Sequence, residues 1–138
     1  MANQFYENYL NLALGNGTHT LPDLDTDTIR ANLIDAGVYT LNTATHQDEA
    51  DLAGVIKEAT LATVTVGSVG VGVVDCDDIV FSSVAGAESE YIVIFQDTAT
   101  ASTSPLICVF DTTNTGLPVT PSGGDITAIV NALGLYTL

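Results

Sequence analysis

The sequence predicts a mainly β domain: an antiparallel β-sandwich or barrel-like body with a short N-terminal helix and one further short helix. Short segments rich in Val, Ile and Thr recur from position 55 onward, at spacings near ten residues and separated by turn-forming residues. No helical segments alternate with them, as a parallel α/β sheet would require. Hydrophobic residues make up 46% of the 138-residue chain, enough for one core. We therefore expect a single domain, with residues 1–25 as N-terminal helix and arm and residues 26–138 as the β body.

The first predicted element is an amphipathic helix over residues 3–14. Its apolar side chains recur at helical spacing, Asn3 is placed to cap the free amides, and Glu7 lies near the positive end of the helix dipole. Gly15 is expected to end the helix, because the residue that follows a helix often adopts a positive φ.

The β body is predicted to begin after an Asp-rich loop at residues 23–27. A first strand covers 28–35, a turn follows at Ala36 and Gly37, and residues 38–41 either extend or return the strand. Residues 45–52 are predicted to form the second short helix, with Thr45 as its cap. The other predicted strands are 55–60, 61–66, 69–74, 79–84, 91–96, 106–111, 126–131 and 135–138.

The charge balance restricts the classes of partner. Seventeen Asp and Glu residues against two Lys and Arg residues give a net charge of -15. Arg30 and Lys57 cannot form the cationic cluster that binds nucleic acid or an anionic membrane. No apolar run reaches the roughly 18 residues of a membrane span, and no signal-peptide pattern opens the chain, so we expect a soluble protein made in a cytoplasm. The acidity favours cationic protein surfaces or divalent cations as partners, and it also maintains solubility.

Patterns typical of catalysis or cofactor binding are incomplete. The Gly-rich segment 67–72 is followed by strand residues instead of a helix, which favours a β turn or bulge over a phosphate loop. His19 and His46 belong to no local nucleophile motif, and no Gly-x-Ser-x-Gly sequence is present. A carboxylate dyad stays open, because only spacing in three dimensions identifies one. We therefore predict a protein that is not an enzyme, with no catalytic residue and no cofactor.

The acidic loops and the cysteines allow two further chemistries. Residues 23–27 alternate carboxylates as calcium loops do, but Thr28 and Ile34 stand where such a loop needs Gly and Glu. Residues 75–78 form a second acidic cluster. We predict two solvated acidic turns and no defined metal site, with weak calcium binding as the alternative. Cys76 and Cys108 lack metal-type spacing, so buried free thiols are predicted, with a disulfide as the alternative.

Five segments of the β body carry a resemblance to a known family. They are 27–35, 77–84, 91–98, 102–111 and, the most specific, 116–127 with the sequence Gly-Leu-Pro-Val-Thr-Pro-Ser-Gly-Gly-Asp-Ile-Thr. Through them the chain resembles a family of small virion proteins encoded among the structural genes of tailed bacteriophages. The chain departs from the family's pattern after Thr127, where residues 128–132 replace a Trp-Asp-Asn-Gly segment.

The resemblance implies a structural virion protein, specifically a capsid decoration (cement) protein on the capsid surface, bound over joints between subunits of the major capsid protein. Such proteins commonly act as closed homo-oligomers, and we expect a trimer. The predicted contact segment is the first helix, through Phe5, Tyr6, Tyr9 and Leu10, since aromatic anchors are enriched at binding hot spots. Alternatively, this helix only covers an open end of the β body.

Two other functions stay open at the level of sequence. The chain is alternatively a component of the tail tube, baseplate or a fibre, or it is a calcium-dependent module that binds a host surface through its acidic loops.

Overall fold

The computed structural model describes residues 3–113 and 116–137 and is mainly β, with 32% strand and 10% helix. The pairs between its strands are antiparallel, and the described strands do not close into a barrel. The predicted mainly β fold with an N-terminal helix is confirmed, in a sandwich-like form. The elements in chain order are β1 (Gln4–Phe5), α1 (Glu7–Ala13), β2 (Ile29–Ile34), a 3₁₀ turn (Glu49–Asp51), β3 (Val55–Thr60), β4 (Thr65–Val66), β5 (Val73–Asp75), β6 (Ile79–Phe81), β7 (Tyr91–Gln96), a second 3₁₀ turn (Ala101–Thr103), β8 (Leu106–Phe110), β9 (Ile126–Ala128) and β10 (Tyr136–Thr137).

A five-stranded sheet in the order β1-β8-β7-β2-β3 forms the centre of the molecule. β2 and β7 pair over their full length, from Ile29 opposite Gln96 to Ile34 opposite Tyr91. Val, Ile, Leu and Phe dominate the inner strands, because β-branched and aromatic side chains pack well on a pleated surface. β2, β7 and β8 are buried over most of their length, so both faces of the sheet are covered.

The front face of the sheet carries Ile29, Ala31 and Leu33 of β2, since alternate residues of a strand point the same way. It packs against two smaller sheets, β10-β5-β4 and β6-β9. Ile79 and Phe81 of β6 are buried in the same core as these β2 side chains. The layers therefore enclose the larger of the two hydrophobic clusters.

The back face carries Arg30, Asn32 and Ile34, the other set of alternating β2 residues. A second cluster forms around Ile34, and the long connection between β2 and β3 contributes Tyr39 and Leu52 to it. This connection replaces a second sheet as the cover of the back face. The back face is the more polar of the two, because a charged and an amide side chain lie within it.

The N-terminal segment is more closely integrated into the sheet than predicted. Gln4 and Phe5 pair with Val109 and Cys108 of β8, so the chain begins with an edge strand and the helix covers only Glu7–Ala13. The helix N-cap is Tyr6, which makes no side-chain capping bond, and the predicted cap at Asn3 is wrong. Gly15 follows the helix with φ +83°, as expected of the residue that ends it.

The second predicted helix is reduced to the 3₁₀ turn Glu49–Asp51, and its cap is Asp48 instead of Thr45. The Asp48 carboxylate accepts a hydrogen bond from the amide of Ala50, and the Asp51 carboxylate accepts one from the amide of Asp48. Side chains that bond the nearby backbone favour such tight turns over a continuous helix. The segment is thereby held against the back of the sheet.

Several predicted strands are shorter than expected. β4, β6 and β9 each cover two or three residues, and the segment 38–41 forms no strand. Thr63 and Ser83 adopt positive φ values, which interrupts an extended strand before β4 and after β6. Gly67 and Gly72, also at positive φ, form the turn between β4 and β5. The predicted turn at 67–72 is therefore present; Leu138, the predicted end of the last strand, lies outside the described residues.

Candidate interaction surface

The aromatic residues predicted to contact a partner are largely used inside the chain. Tyr6 and Tyr9 are 0% and 3% exposed, and the ring of half-buried Phe5 lies 5.9 Å from that of Tyr9 and 5.2 Å from that of Tyr136. The hydroxyl of Tyr6 lies 3.1 Å from that of Tyr39. Of the four predicted residues, Leu10 alone is exposed, so the prediction of a contact at this segment depends on the outer side of the helix.

Exposed apolar side chains concentrate where the chain carries no charge. Residues 8–22, 59–74 and 126–137 contain no Asp, Glu, Lys or Arg. These three stretches hold eight of the eleven large apolar side chains that are exposed among the described residues: Leu10, Leu14, Leu21, Val66, Val69, Val71, Ile129 and Leu133. Exposed apolar residues that gather in this way mark interaction sites more than scattered ones do.

Contacts join much of this surface into one face. Leu21 and Val66 line the same shallow cavity of about 470 Å³, together with Ala13 at the end of the helix and the charged Asp23 at its border. β4 pairs with β5, and β5 pairs with β10, so the hairpin β4–β5 adjoins the C-terminal strand. We call the surface formed by residues 10–17, 21, 62–71 and 131–137 the uncharged face.

A groove lies beside the C-terminal segment. Two cavities of about 190 and 390 Å³ share Ile92, Leu117, Ala128 and Ile129 in their walls. They separate β7 from the segment that contains β9. The described residues that line both cavities are uncharged and mostly apolar.

The back face holds the most unusual electrostatic arrangement. Arg30 forms ion pairs with Glu58 of β3 and with Asp97, whose carboxylate lies 3.3 Å from the guanidinium Nε. Burial raises the pKa of the nearby Glu49 above its usual range, Glu58 and Asp97 add to that rise, and Asn32 and Arg30 oppose it. The arginine thus holds several carboxylates together on the back face of the sheet, which indicates a structural role.

The two acidic loops bind parts of the chain itself. In the first, the Asp27 carboxylate accepts hydrogen bonds from the Asp23 amide and from the Gln96 side chain, both at 2.8 Å. In the second, Asp78 accepts from the amide of Val130 at 2.8 Å. Among residues 3–113 and 116–137, no group of three or more His, Cys, Asp or Glu side chains is placed to hold a metal ion.

Both cysteines are free and buried, as predicted from their spacing. Burial raises the pKa of Cys76 to about 11, and the carboxylates of Asp75, Asp77 and Asp78 contribute to the rise. Burial also raises the pKa of Cys108. Both groups are therefore protonated at neutral pH, and a protonated thiol is a poor nucleophile.

The two histidines lie in hydrogen-bonded structural positions. His46 Nδ1 is 2.7 Å from the hydroxyl of Tyr39, which in turn contacts Tyr6. His19 joins the chain after the helix to two other loops. Its Nε2 is 3.2 Å from the carbonyl oxygen of Ser102, in the 3₁₀ turn before β8, and 3.7 Å from the carboxylate of Asp48, in the connection between β2 and β3. These contacts position loops against the sheet.

In comparisons with known proteins, the chain matches no family model and no curated protein. In the part of the chain that the structure describes, no helix has the length and hydropathy needed to cross a membrane.

The sequence analysis did not predict the uncharged face. A signal for it is present in the sequence, where three long stretches lack any charged residue although the net charge of the chain is -15.

Proposed function

We propose that this chain is a structural virion protein of a tailed bacteriophage, a capsid decoration protein that stabilises the head by binding subunits of the major capsid protein. The observation that carries the proposal is the separation of acidic residues from exposed apolar residues. A free monomer gains nothing from leaving Val71 fully exposed and Leu14 84% exposed. In a protein–protein complex, the exposed apolar residues can be buried and the acidic residues can pair with cationic groups of the partner.

The resemblance to small virion proteins supports the same proposal. Four of the segments contain β2, β6, β7 and β8, so they include the three inner strands of the central sheet, and the segment 116–127 precedes β9 and overlaps its first two residues. A resemblance located in inner strands concerns the fold more than any single site. The resemblance therefore supports the fold, and the proposed function depends in addition on the distribution of charge over the surface.

The net charge of -15 indicates how the protein binds the head. Acidic loops such as 23–27 and 75–78 suit a cationic region of the capsid subunits, because complementary charges accelerate association and fix orientation. Contacts between exposed charges weaken as salt screens them, over a Debye length of about 10 Å at 0.1 M salt. We therefore expect release from the head to become easier with increasing ionic strength.

The proposal is tested by removing the protein from virions with mild chaotrope and heating the heads. Heads without the chain should rupture at lower temperature than complete heads, and purified chain added back should restore the original temperature. Heads that are equally durable with and without the chain would reject a decorating role.

A location in the tail is the competing structural function. Labelling whole virions with gold-conjugated antibodies against the chain separates the two, because a decoration protein labels the head. Label confined to the tail would replace the capsid proposal with that of a tail tube, baseplate or fibre component.

A further inference from the structure

We infer that the uncharged face is the surface through which copies of this chain associate with one another. The inference rests on the proposed function, because decoration proteins are expected to act as homo-oligomers, and it assigns the contact between copies to a specific surface. The face comprises the end of α1 with Leu21, the segment 62–71 that contains β4 and the turn after it, and the segment 131–137 that contains β10.

The residues of the hairpin are arranged to be covered by another molecule. Val71 is fully exposed, and Val66 and Val69 are about half exposed, at 51% and 49%. These side chains do not merge into the front core, since the turn between β4 and β5 holds them outward, with Gly67 and Gly72 at positive φ. Exposed β-branched residues on a short hairpin gain most by packing against a partner.

The C-terminal segment continues this surface. A side-chain carbon at Gly134 would lie 2.3 Å from Val73 and 3.6 Å from Val69, so the backbone here passes directly over the hairpin. The adjoining Leu133 is 80% exposed. The apolar surface therefore extends from the hairpin onto a second segment of the chain.

The size of the face suits a stable contact. Nineteen exposed residues lie within residues 10–17, 21, 62–71 and 131–137. A standard interface involves roughly 20–30 residues on each side. The face is thus close to the size that one specific interface needs.

Charge identifies the occupant as a second copy of this chain. Two molecules of net charge -15 repel each other wherever their carboxylates meet; the uncharged face carries no carboxylate of its own, and Asp23 and Asp77 lie at its border, so repulsion between copies is smallest here. A cationic partner should bind the acidic loops more strongly than the uncharged face. At the uncharged face its Lys and Arg side chains would lose hydrating water without gaining an ion pair with a carboxylate of that face. In a closed oligomer each copy would bring its uncharged face to the contacts around the symmetry axis.

The test is the oligomeric mass of the purified chain by sedimentation equilibrium. We expect the wild-type chain to associate and to stay associated between 0.05 and roughly 0.5 M NaCl, because added salt reduces the residual repulsion between copies. Val69→Asp and Val71→Asp should each weaken association at least about tenfold, since each places a carboxylate at the contact.

Val80→Asp is the matched control. Val80 is 47% exposed, against 49% for Val69, and lies on β6 outside the uncharged face, so Val80→Asp should associate like the wild type. Circular dichroism of each variant checks that the fold is retained. Hydrogen exchange of the wild-type chain at low and high concentration gives a second readout, in which residues 66–72 should become protected as the protein associates.

The outcomes separate this inference from the proposed function. Association that is equally strong in Val69→Asp, Val71→Asp and wild type would overturn the assignment of the face, as would a wild-type chain that stays monomeric at about 100 µM. If the chain associates through the uncharged face but does not bind heads from which it was removed, the capsid proposal fails and the assignment of the face stands.

Discussion

The central sheet and the hairpin β4–β5 use the same residue types in opposite ways. In β7, Val93, Ile94 and Phe95 are 0% exposed, whereas Val66, Val69 and Val71 in and beside the hairpin are 49–100% exposed. Layers on both faces cover β7, whereas the backbone around Gly134 passes over one side of the hairpin and leaves these three valines exposed. The comparison shows that β-branched residues indicate an extended backbone in both regions. Whether their side chains are buried depends on which other elements pack against the strand.

The largest expected effect is in the centre of the sheet. Phe95→Ala should lower the free energy of unfolding by about 3–5 kcal/mol, because it removes a fully buried ring and leaves a cavity. Val71→Ala in the hairpin should change it by less than about 0.5 kcal/mol. Urea denaturation of both variants measures the difference, and similar losses at the two positions would remove the contrast between the regions.

The second effect concerns the thiol of Cys76 in the front core. Because its pKa is raised from 9.0 to about 11, its thiolate fraction at pH 8 is lower by about a hundredfold. A thiol reagent such as DTNB should therefore label the folded chain at least about a hundredfold more slowly than the chain in urea. Rapid labelling of the folded chain, or absence of labelling in urea without reductant, would show that Cys76 is accessible or oxidised.

A smaller effect is expected on the polar back face. Arg30→Met leaves Glu58, Asp97 and Glu49 without their shared cation, and should cost about 1–2 kcal/mol, between the values for exposed and buried ion pairs. Lys57→Met makes the same charge change on the adjacent strand and should cost less. Equal urea midpoints for the two variants would mean that the ion pairs of Arg30 contribute nothing.

The smallest effect tests the raised pKa of Glu49. A carboxyl whose pKa is higher in the folded chain holds its proton more tightly there, so its ionisation at neutral pH lowers stability. Glu49→Gln should therefore be more stable than wild type at pH 7, by about 0.5 kcal/mol or less at this partly exposed position. The difference should vanish below about pH 4.3, the ordinary pKa of Glu, where the group is protonated in both states. A variant less stable than wild type at pH 7 would contradict the direction of the shift.

The inner strands were predictable because their signals are local. The predicted bounds 91–96 equal those of β7, because this segment is an unbroken run of strand-forming residues, and the predicted bounds 55–60 equal those of the edge strand β3. The strand 28–35 differs from β2 by a single residue at each end. In these cases burial and propensity favour the same structure.

The features that were not predicted are the N-terminal edge strand, the short second helix and the burial of the helix tyrosines; most of them depend on contacts between residues far apart in the sequence. Phe5 follows helical spacing, yet it lies in an edge strand because β8, about one hundred residues later, pairs with it. Residues 45–52 have helix-like composition, but the carboxylates of Asp48 and Asp51 bond local amides and leave a 3₁₀ turn. The burial of Tyr6 and Tyr9 depends in the same way on side chains from other elements, which no local pattern reveals.

A cryo-electron microscopy map of the virion tests the central claim most directly. The account predicts density for this chain on the outer surface of the head, with the hairpin 66–72 of each copy packed against a neighbouring copy and the acidic loops turned toward the capsid. Single copies whose hairpins face solvent, or density for the chain on the tail alone, would contradict it.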